Sequence, residues 1–256
     1  MKLFSRISMV ALMLVAGAAA AAGDAHAPKL KQMDWPFDGV FGKMDKPSVQ
    51  RGLQVYKEVC ASCHSLKRVA FRSLQDIGLS EAEVASFAAG YTVQDGPNDA
   101  GEMFDRPGRP SDKFPRPHAN DNAARAANNG GLPPDLSLIV KARPDGANYL
   151  YSLLTGYGHT PPEGMSVPEG THYNPYMAGG IIKMAQPLKD DTVTYQDANT
   201  KATLDQQAKD VVNFLQWAAE PEMEARKRMG IKVMLFLGIM TGFFYVLKKR
   251  IWSDLH

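Results

Sequence analysis

Cysteine is scarce in this chain: two residues in 256, at positions 60 and 63. That excludes a disulfide-dense scaffold and any zinc or iron–sulfur array that needs four thiolates. No strand-rich or βαβ rhythm and no internal repeat runs along the sequence, which argues against parallel-sheet and solenoid folds. The composition does not fit a disordered chain either, since 45% of residues are hydrophobic and only 22% charged. The length suits one ordinary domain with appendages.

A basic excess is missing from the body. The formal net charge is +2, but residues 226–256 hold seven Lys/Arg and the single acid Asp254. Residues 1–22 carry only Lys2 and Arg6, which leaves 20 basic against 26 acidic residues in 23–225. Phosphate binding needs clustered Lys and Arg, so nucleic acid is excluded as the body's partner.

Both ends carry addressing signals. Lys2 and Arg6 precede an alanine-rich apolar run that ends Ala20-Ala21-Ala22, the pattern of a secretory signal over 1–22. The run is too short and alanine-dominated to serve well as an anchor. Met229 to Leu247 is a 19-residue stretch whose only charge is Lys232, long enough to cross a membrane as a helix. Arg226-Lys227-Arg228 and Lys248-Lys249-Arg250 flank it, so charge does not fix its orientation. Export of the body does: 23–225 is expected in the periplasm and 248–256 in the cytoplasm of a Gram-negative cell. Gly238 and Gly242 form a GxxxG step that would let another membrane helix approach.

Periodicity and caps predict helices over 48–59, 80–89, 121–129, 147–157 and 203–219. Ser80-x-x-Glu83 and Thr203-x-x-Gln206 read as capping boxes. Between them lie Pro/Gly-rich connections, notably 95–118 and 158–189. Loops this long with few strands suit an all-α domain whose core is filled by a large cofactor.

Cys60-Ala61-Ser62-Cys63-His64 supplies the cofactor. C-x-x-C-H is the attachment signal of haem c. Two thiols about one helical turn apart reach the two vinyl groups of one porphyrin, and the next residue sets an imidazole on the iron. A thioredoxin-like site needs a strand–helix context that is absent, a zinc site needs a second cysteine pair, and a four-residue disulfide loop is an unusual structural link. One motif means one haem. The sixth ligand is left among Met103, Met165, Met177, Met184 and Met223, with His118, His159 and His172 as rivals. Position in an apolar, proline-stiffened loop ahead of the last helix of the body favours Met184, with Met177 next.

Several stretches resemble the cytochrome c1 family, the haem c subunits of the cytochrome bc1 complex. They are Arg51-Gly52-Leu53-Gln54-Val55-Tyr56, Gln94-Asp95-Gly96-Pro97-Asn98 with Gly101-Glu102-Met103-Phe104, Ala123 through Ser137, Leu153-Leu154-Thr155-Gly156-Tyr157, Tyr173-Asn174-Pro175-Tyr176, Lys183-Met184-Ala185, and Trp217 through Glu222. The likeness runs from about residue 35 to the C terminus. It implies an all-α, class I cytochrome c-like haem domain with long loop insertions and one C-terminal transmembrane helix. It also implies axial ligation by His64 and Met184, pocket contacts from Asn128, Pro133, Pro134, Ile139 and Tyr149, and a propionate held by Arg143, with Arg125 a weaker candidate for such a role. The activity implied is that of a subunit of quinol–cytochrome c reductase in the bacterial inner membrane. It would take one electron from the Rieske iron–sulfur protein, give it to a soluble cytochrome c, and stand beside cytochrome b and membrane lipid in a dimeric complex. Some bacterial members carry an extra disulfide before the methionine, which this chain has no cysteines to form.

No Lys or Arg occurs between Arg72 and Arg106, while Asp76, Glu81, Glu83, Asp95, Asp99, Glu102 and Asp105 do. The segment is either a solvated acidic loop or a docking face for a basic cytochrome c. Two other functions fit parts of the sequence. One is an anchored electron shuttle that works without cytochrome b; the other is a thiol–disulfide oxidoreductase using Cys60 and Cys63.

Overall fold

The computed structural model describes residues 28–197 and 199–253. The expected signal over 1–22 lies outside them. Six α-helices carry the described chain: α1 (Lys46–Glu58), α2 (Glu81–Ala89), α3 (Asp121–Ala127), α4 (Gly146–Leu154), α5 (Leu204–Ala219) and α6 (Met223–Ile251). Two small antiparallel hairpins pair β1 (Thr92–Asp95) with β2 (Phe104–Pro107), and β3 (His172–Tyr173) with β4 (Ile181–Ile182). The domain is helical, as the sequence suggests, although 95–118 is not wholly a loop: one strand of the first hairpin lies inside it.

The core is built where α1 crosses α5. Gly52 faces this crossing, and a Cβ there would collide with the Asp210 carbonyl. Around that contact, Val49, Leu53, Tyr56, Val211, Val212, Phe214 and Leu215 are buried, as the 3.6-residue stripes require. One charge is buried with them. Asp210 is fully enclosed and accepts from Ser48 Oγ (2.6 Å), Arg51 Nε (2.9 Å) and Arg51 Nη2 (2.9 Å). Asn213 Nδ2 completes the set by donating to Ser48 Oγ at 2.9 Å. Such a carboxylate is tolerated inside only because both of its oxygens accept hydrogen bonds and a guanidinium pairs its charge.

Caps explain where the helices start. The Ser80 box is reciprocal: Glu83 N donates to Ser80 Oγ (3.3 Å), and Ser80 N donates to the Glu83 carboxylate (2.7 Å). Only half of the Thr203 box forms. Thr203 Oγ1 accepts from Gln206 N at 3.2 Å, but the Gln206 side chain turns to Asp210 Oδ1 at 3.0 Å. Satisfying a buried charge outweighs a second cap bond. The α1 helix begins at Lys46, two residues ahead of the sequence expectation, because Asp45 accepts from Ser48 N and Pro47 fits the first turn.

The last helix is longer than the apolar stretch within it. At ~1.5 Å per residue its 29 residues span roughly 43 Å, more than a hydrocarbon core of ~30 Å. Its most apolar window has a mean hydropathy of 1.9 and buries nothing against the domain. Its foot is fixed, however. Met223 is buried, and Glu220, at the break between α5 and α6, receives Lys141 Nζ and Arg226 Nη2, both at 2.8 Å.

Gly52→Ala tests the crossing. Helix propensity alone favours alanine by about 1 kcal/mol. Displacing α5 should outweigh this, for a net loss of about 1–3 kcal/mol in chemical denaturation. An unchanged or raised midpoint would show that the helices are not in that contact.

Candidate functional site

The C-terminal end of α1 delivers the motif. The chain passes directly into a tight 3-10 turn over Cys60–Ser62, closed by Cys63 N to Cys60 O (3.2 Å) and His64 N to Cys60 O (2.8 Å). Both cysteines are free thiols, each half-buried. Burial, with Cys63 adding to it, pushes the Cys60 thiol up to about 12. That is opposite to the lowered value of a thiol that attacks disulfides.

His64 is held from two sides. Tyr56 Oη donates to its carbonyl at 3.1 Å, and its ring Nδ1 lies 2.8 Å from the Pro134 carbonyl. A carbonyl oxygen only accepts, so the ring proton belongs on Nδ1 and the Nε2 lone pair is free. Burial lowers the His64 pKa, against the Pro134 bond and the Asp135 charge, and this favours the neutral imidazole that a metal requires.

The Pro134 contact is one of a series that joins 64–68 to 134–137. Leu136 N donates to Ser65 O (2.9 Å), and Arg68 N donates to Ser137 Oγ (3.1 Å). Asp135 accepts from Ser65 Oγ (2.7 Å) and Lys67 N (3.0 Å). Burial works against the Asp135 charge, but these donors outweigh it and lower its pKa.

The Met184 loop reaches the same stretch from the other end. Lys183 Nζ donates to Asn129 O at 3.0 Å, while Tyr157 Oη donates to Met184 O at 2.9 Å. The segment 128–134 therefore touches the histidine side through Pro134 and the methionine side through Asn129. The rivals of Met184 are placed otherwise. Met103 and Met165 are exposed and Met223 is buried at the foot of α6, while Met177 is half-buried with Sδ 3.8 Å from Tyr149 Oη. His159 and His172 are exposed along a cleft of about 320 Å³ with Tyr157 and Gln186. His118 keeps a buried Nε2 without a hydrogen-bond partner.

The remaining expected contacts divide. Ile139 is buried; Pro133, Tyr149 and Arg143 are half-buried, and Pro134 is exposed beyond its carbonyl. Asn128 has a structural duty, since its Nδ2 caps α3 by donating to Ala124 O at 2.7 Å. Arg143 donates from Nη1 only to the adjacent Ala142 carbonyl (2.9 Å) and has no ion pair among the described residues. A half-buried guanidinium without a carboxylate suits an acidic group brought in by a ligand. Arg125 is exposed on α3. Two free thiols, a neutral imidazole with Nε2 available, a thioether on a braced loop and an unpaired arginine form a donor set that fits haem c.

Sequence reasoning missed Tyr157, Lys183 and the Ser65–Asp135–Ser137 set. Their work is to hold backbone, which no side-chain motif announces. The acidic segment also changes in detail. Asp95 pairs with Arg106, whose other edge binds Asp112 at 2.6 and 3.1 Å, so its charge is not free. Asp99, Glu102 and Asp105 are exposed and unpaired among the described residues.

A family model described as the Cytochrome C1 family matches residues 35–255. A "Cytochrome b/c1" of Bradyrhizobium diazoefficiens is 49% identical over 98% of this chain, which spans only 40% of that longer protein. A "Cytochrome c1" of Rhodospirillum rubrum is 47% identical over 97% of both chains. An Arabidopsis thaliana protein, "Cytochrome c1 1, heme protein, mitochondrial", is 50% identical over 90% of this chain and 74% of its own length.

The Arg106 clasp gives an acid prediction. Hydrogen bonding to Arg106 lowers the Asp112 pKa from its ordinary 3.8 to about 2 and also lowers that of Asp95. A depressed folded value means that the stabilisation is complete above the unfolded pKa and is lost as pH falls. Amides of the β1–β2 hairpin should therefore lose hydrogen-exchange protection between about pH 4 and pH 2, after correction for intrinsic rates. Constant protection across that range would remove the clasp from the account.

Proposed function

The chain belongs to the cytochrome c1 family, and on that premise we propose that it is the haem c subunit of a quinol–cytochrome c reductase. It accepts one electron from a Rieske iron–sulfur protein and donates it to a soluble cytochrome c. The observation that carries this reading is the His64 ring, fixed through Nδ1 with Nε2 left free, one residue after two free thiols.

Bound haem would supply a one-electron couple on iron, the chemistry that no side chain here can provide. The residues do the rest. Cys60 and Cys63 would hold the haem covalently as thioethers. His64 would ligate through Nε2, with its orientation set by Pro134 and its backbone set by Tyr56. Met184 would supply a thioether, a ligand that favours a high potential and excludes small ligands. Arg143 would neutralise a propionate, and Tyr149 and Ile139 would contact the group. The partial burial of these residues would limit water at the site and so tune the potential further.

The anchor and the charges support a location for the reaction. α6 holds the domain at the inner membrane beside cytochrome b and the Rieske subunit in a dimeric complex. The domain lies in the periplasm and the C-terminal end in the cytoplasm. Asp99, Glu102 and Asp105 belong to the free part of the acidic face and attract a basic cytochrome c, which speeds encounter more than it tightens the complex.

Denatured, acid–acetone-extracted protein should keep a one-haem pyridine haemochrome spectrum. Cys60→Ser with Cys63→Ser should abolish it. A colourless wild-type chain from a host competent in haem c maturation would refute the assignment. Met184→Leu should leave the haem attached, lower its midpoint potential and admit carbon monoxide to the reduced iron; an unchanged potential would return the sixth ligand to Met177. Converting Asp99, Glu102 and Asp105 to amides should slow association with a basic cytochrome c several-fold at low salt and flatten its salt dependence. Unaltered stopped-flow rates would leave the segment a solvated loop.

A further inference from the structure

The most exposed large apolar side chain among the described residues is not on the membrane helix. It is Phe41, 81% exposed, with Val40 beside it at 64%. The two residues form the tip of a loop whose base is fixed to the domain and to α6. On the domain side, Trp35 and Phe37 are buried and stacked with their centroids 5.5 Å apart. On the helix side, Lys227 Nζ donates to Phe37 O (2.6 Å) and Gly42 O (3.2 Å), and Glu224 Oε1 accepts from Met44 N (2.9 Å). Lys43 N closes the loop onto Pro36 O at 2.8 Å. Glycine is required at both shoulders: Gly39 has φ +68°, and a Cβ on Gly42 would strike the Asp38 carbonyl.

Depth decides what such a tip meets. Glu224 and Lys227 precede the apolar span, which begins at Met229. At ~1.5 Å per residue the loop base stands only about 3–8 Å above that point. The polar layer outside the hydrocarbon core is itself roughly 5–8 Å thick. A tip two or three residues beyond the base, at ~3.3 Å each, is long enough to cross that layer. The local charge agrees at Arg228, which is exposed at the same height and has no ion pair among the described residues, whereas Arg226 is paired with Glu220.

We infer that the Gly39–Gly42 loop is a second membrane contact, with Val40 and Phe41 inserted among the phospholipids of the periplasmic leaflet beside α6. Water is the alternative surrounding for these side chains, and an exposed apolar tip is disfavoured there. The unpaired Arg228 beside the loop favours phospholipid phosphates over an apolar protein face. The inference rests on the reading of α6 as the membrane anchor.

The test places the photo-crosslinking residue p-benzoylphenylalanine at position 41 in the full chain, assembled in its native membrane. The same label at Met103 and at Phe244 provides references. After irradiation, mass spectrometry of the haem-bearing chain should find phospholipid adducts at 41 several-fold above those at 103. Adducts at 41 with another polypeptide, or lipid adducts no more abundant than at 103, would overturn the inference. If 41 fails while 244 labels lipid or a membrane helix, only the loop contact falls. If 244 labels neither, the anchor reading falls with it.

Discussion

A carbonyl oxygen has no proton to give, and the site depends on that fact at Pro134. Its contact with His64 Nδ1 selects one tautomer, aims the other nitrogen away, and joins the end of α1 to the segment after α3. The same segment receives Lys183 at Asn129. The loop carrying the thioether candidate is therefore referenced to the same piece of backbone as the imidazole. Two candidate ligands far apart in sequence share one support.

That support is polar, and the domain accommodates it by placing the apolar core elsewhere. The crossing of α1 and α5 is close-packed, with a fully buried carboxylate satisfied on all sides. An aromatic group extends from it: Tyr56 meets Phe214 at 5.5 Å and Phe114 at 5.8 Å, and Phe114 meets Phe71 at 4.6 Å. Tyr56 thus belongs to the core by its ring and to the site by its hydroxyl. Rigidity produced at the helix crossing passes to the motif through that one side chain and through the end of α1.

Much of this was legible in the sequence because it depends on local chemistry. The Ser80 box, the stripes of α1 and α5 and the five-residue motif are each readable within a dozen residues. The Thr203 box was half wrong because Asp210, one turn further on, competes for the Gln206 side chain. Asp95 could be counted as a free charge only while its partner across the hairpin was unknown. The bracing contacts of Tyr157 and Lys183 were invisible for a related reason: they run to backbone carbonyls 27 and 54 residues away, and no periodicity records such pairs. Position in the chain favoured Met184 over Met177, and the resemblance points to the same residue.

Glu220 sits at the break between α5 and α6 and binds a lysine from the domain and an arginine from the anchor through one oxygen. A flexible tether would let the head swivel and sample many approaches to its neighbours. This joint instead restricts pivoting, so the azimuth at which the head faces its surroundings is set by the fold. An electron-transfer subunit held in this way loses few encounters to misorientation.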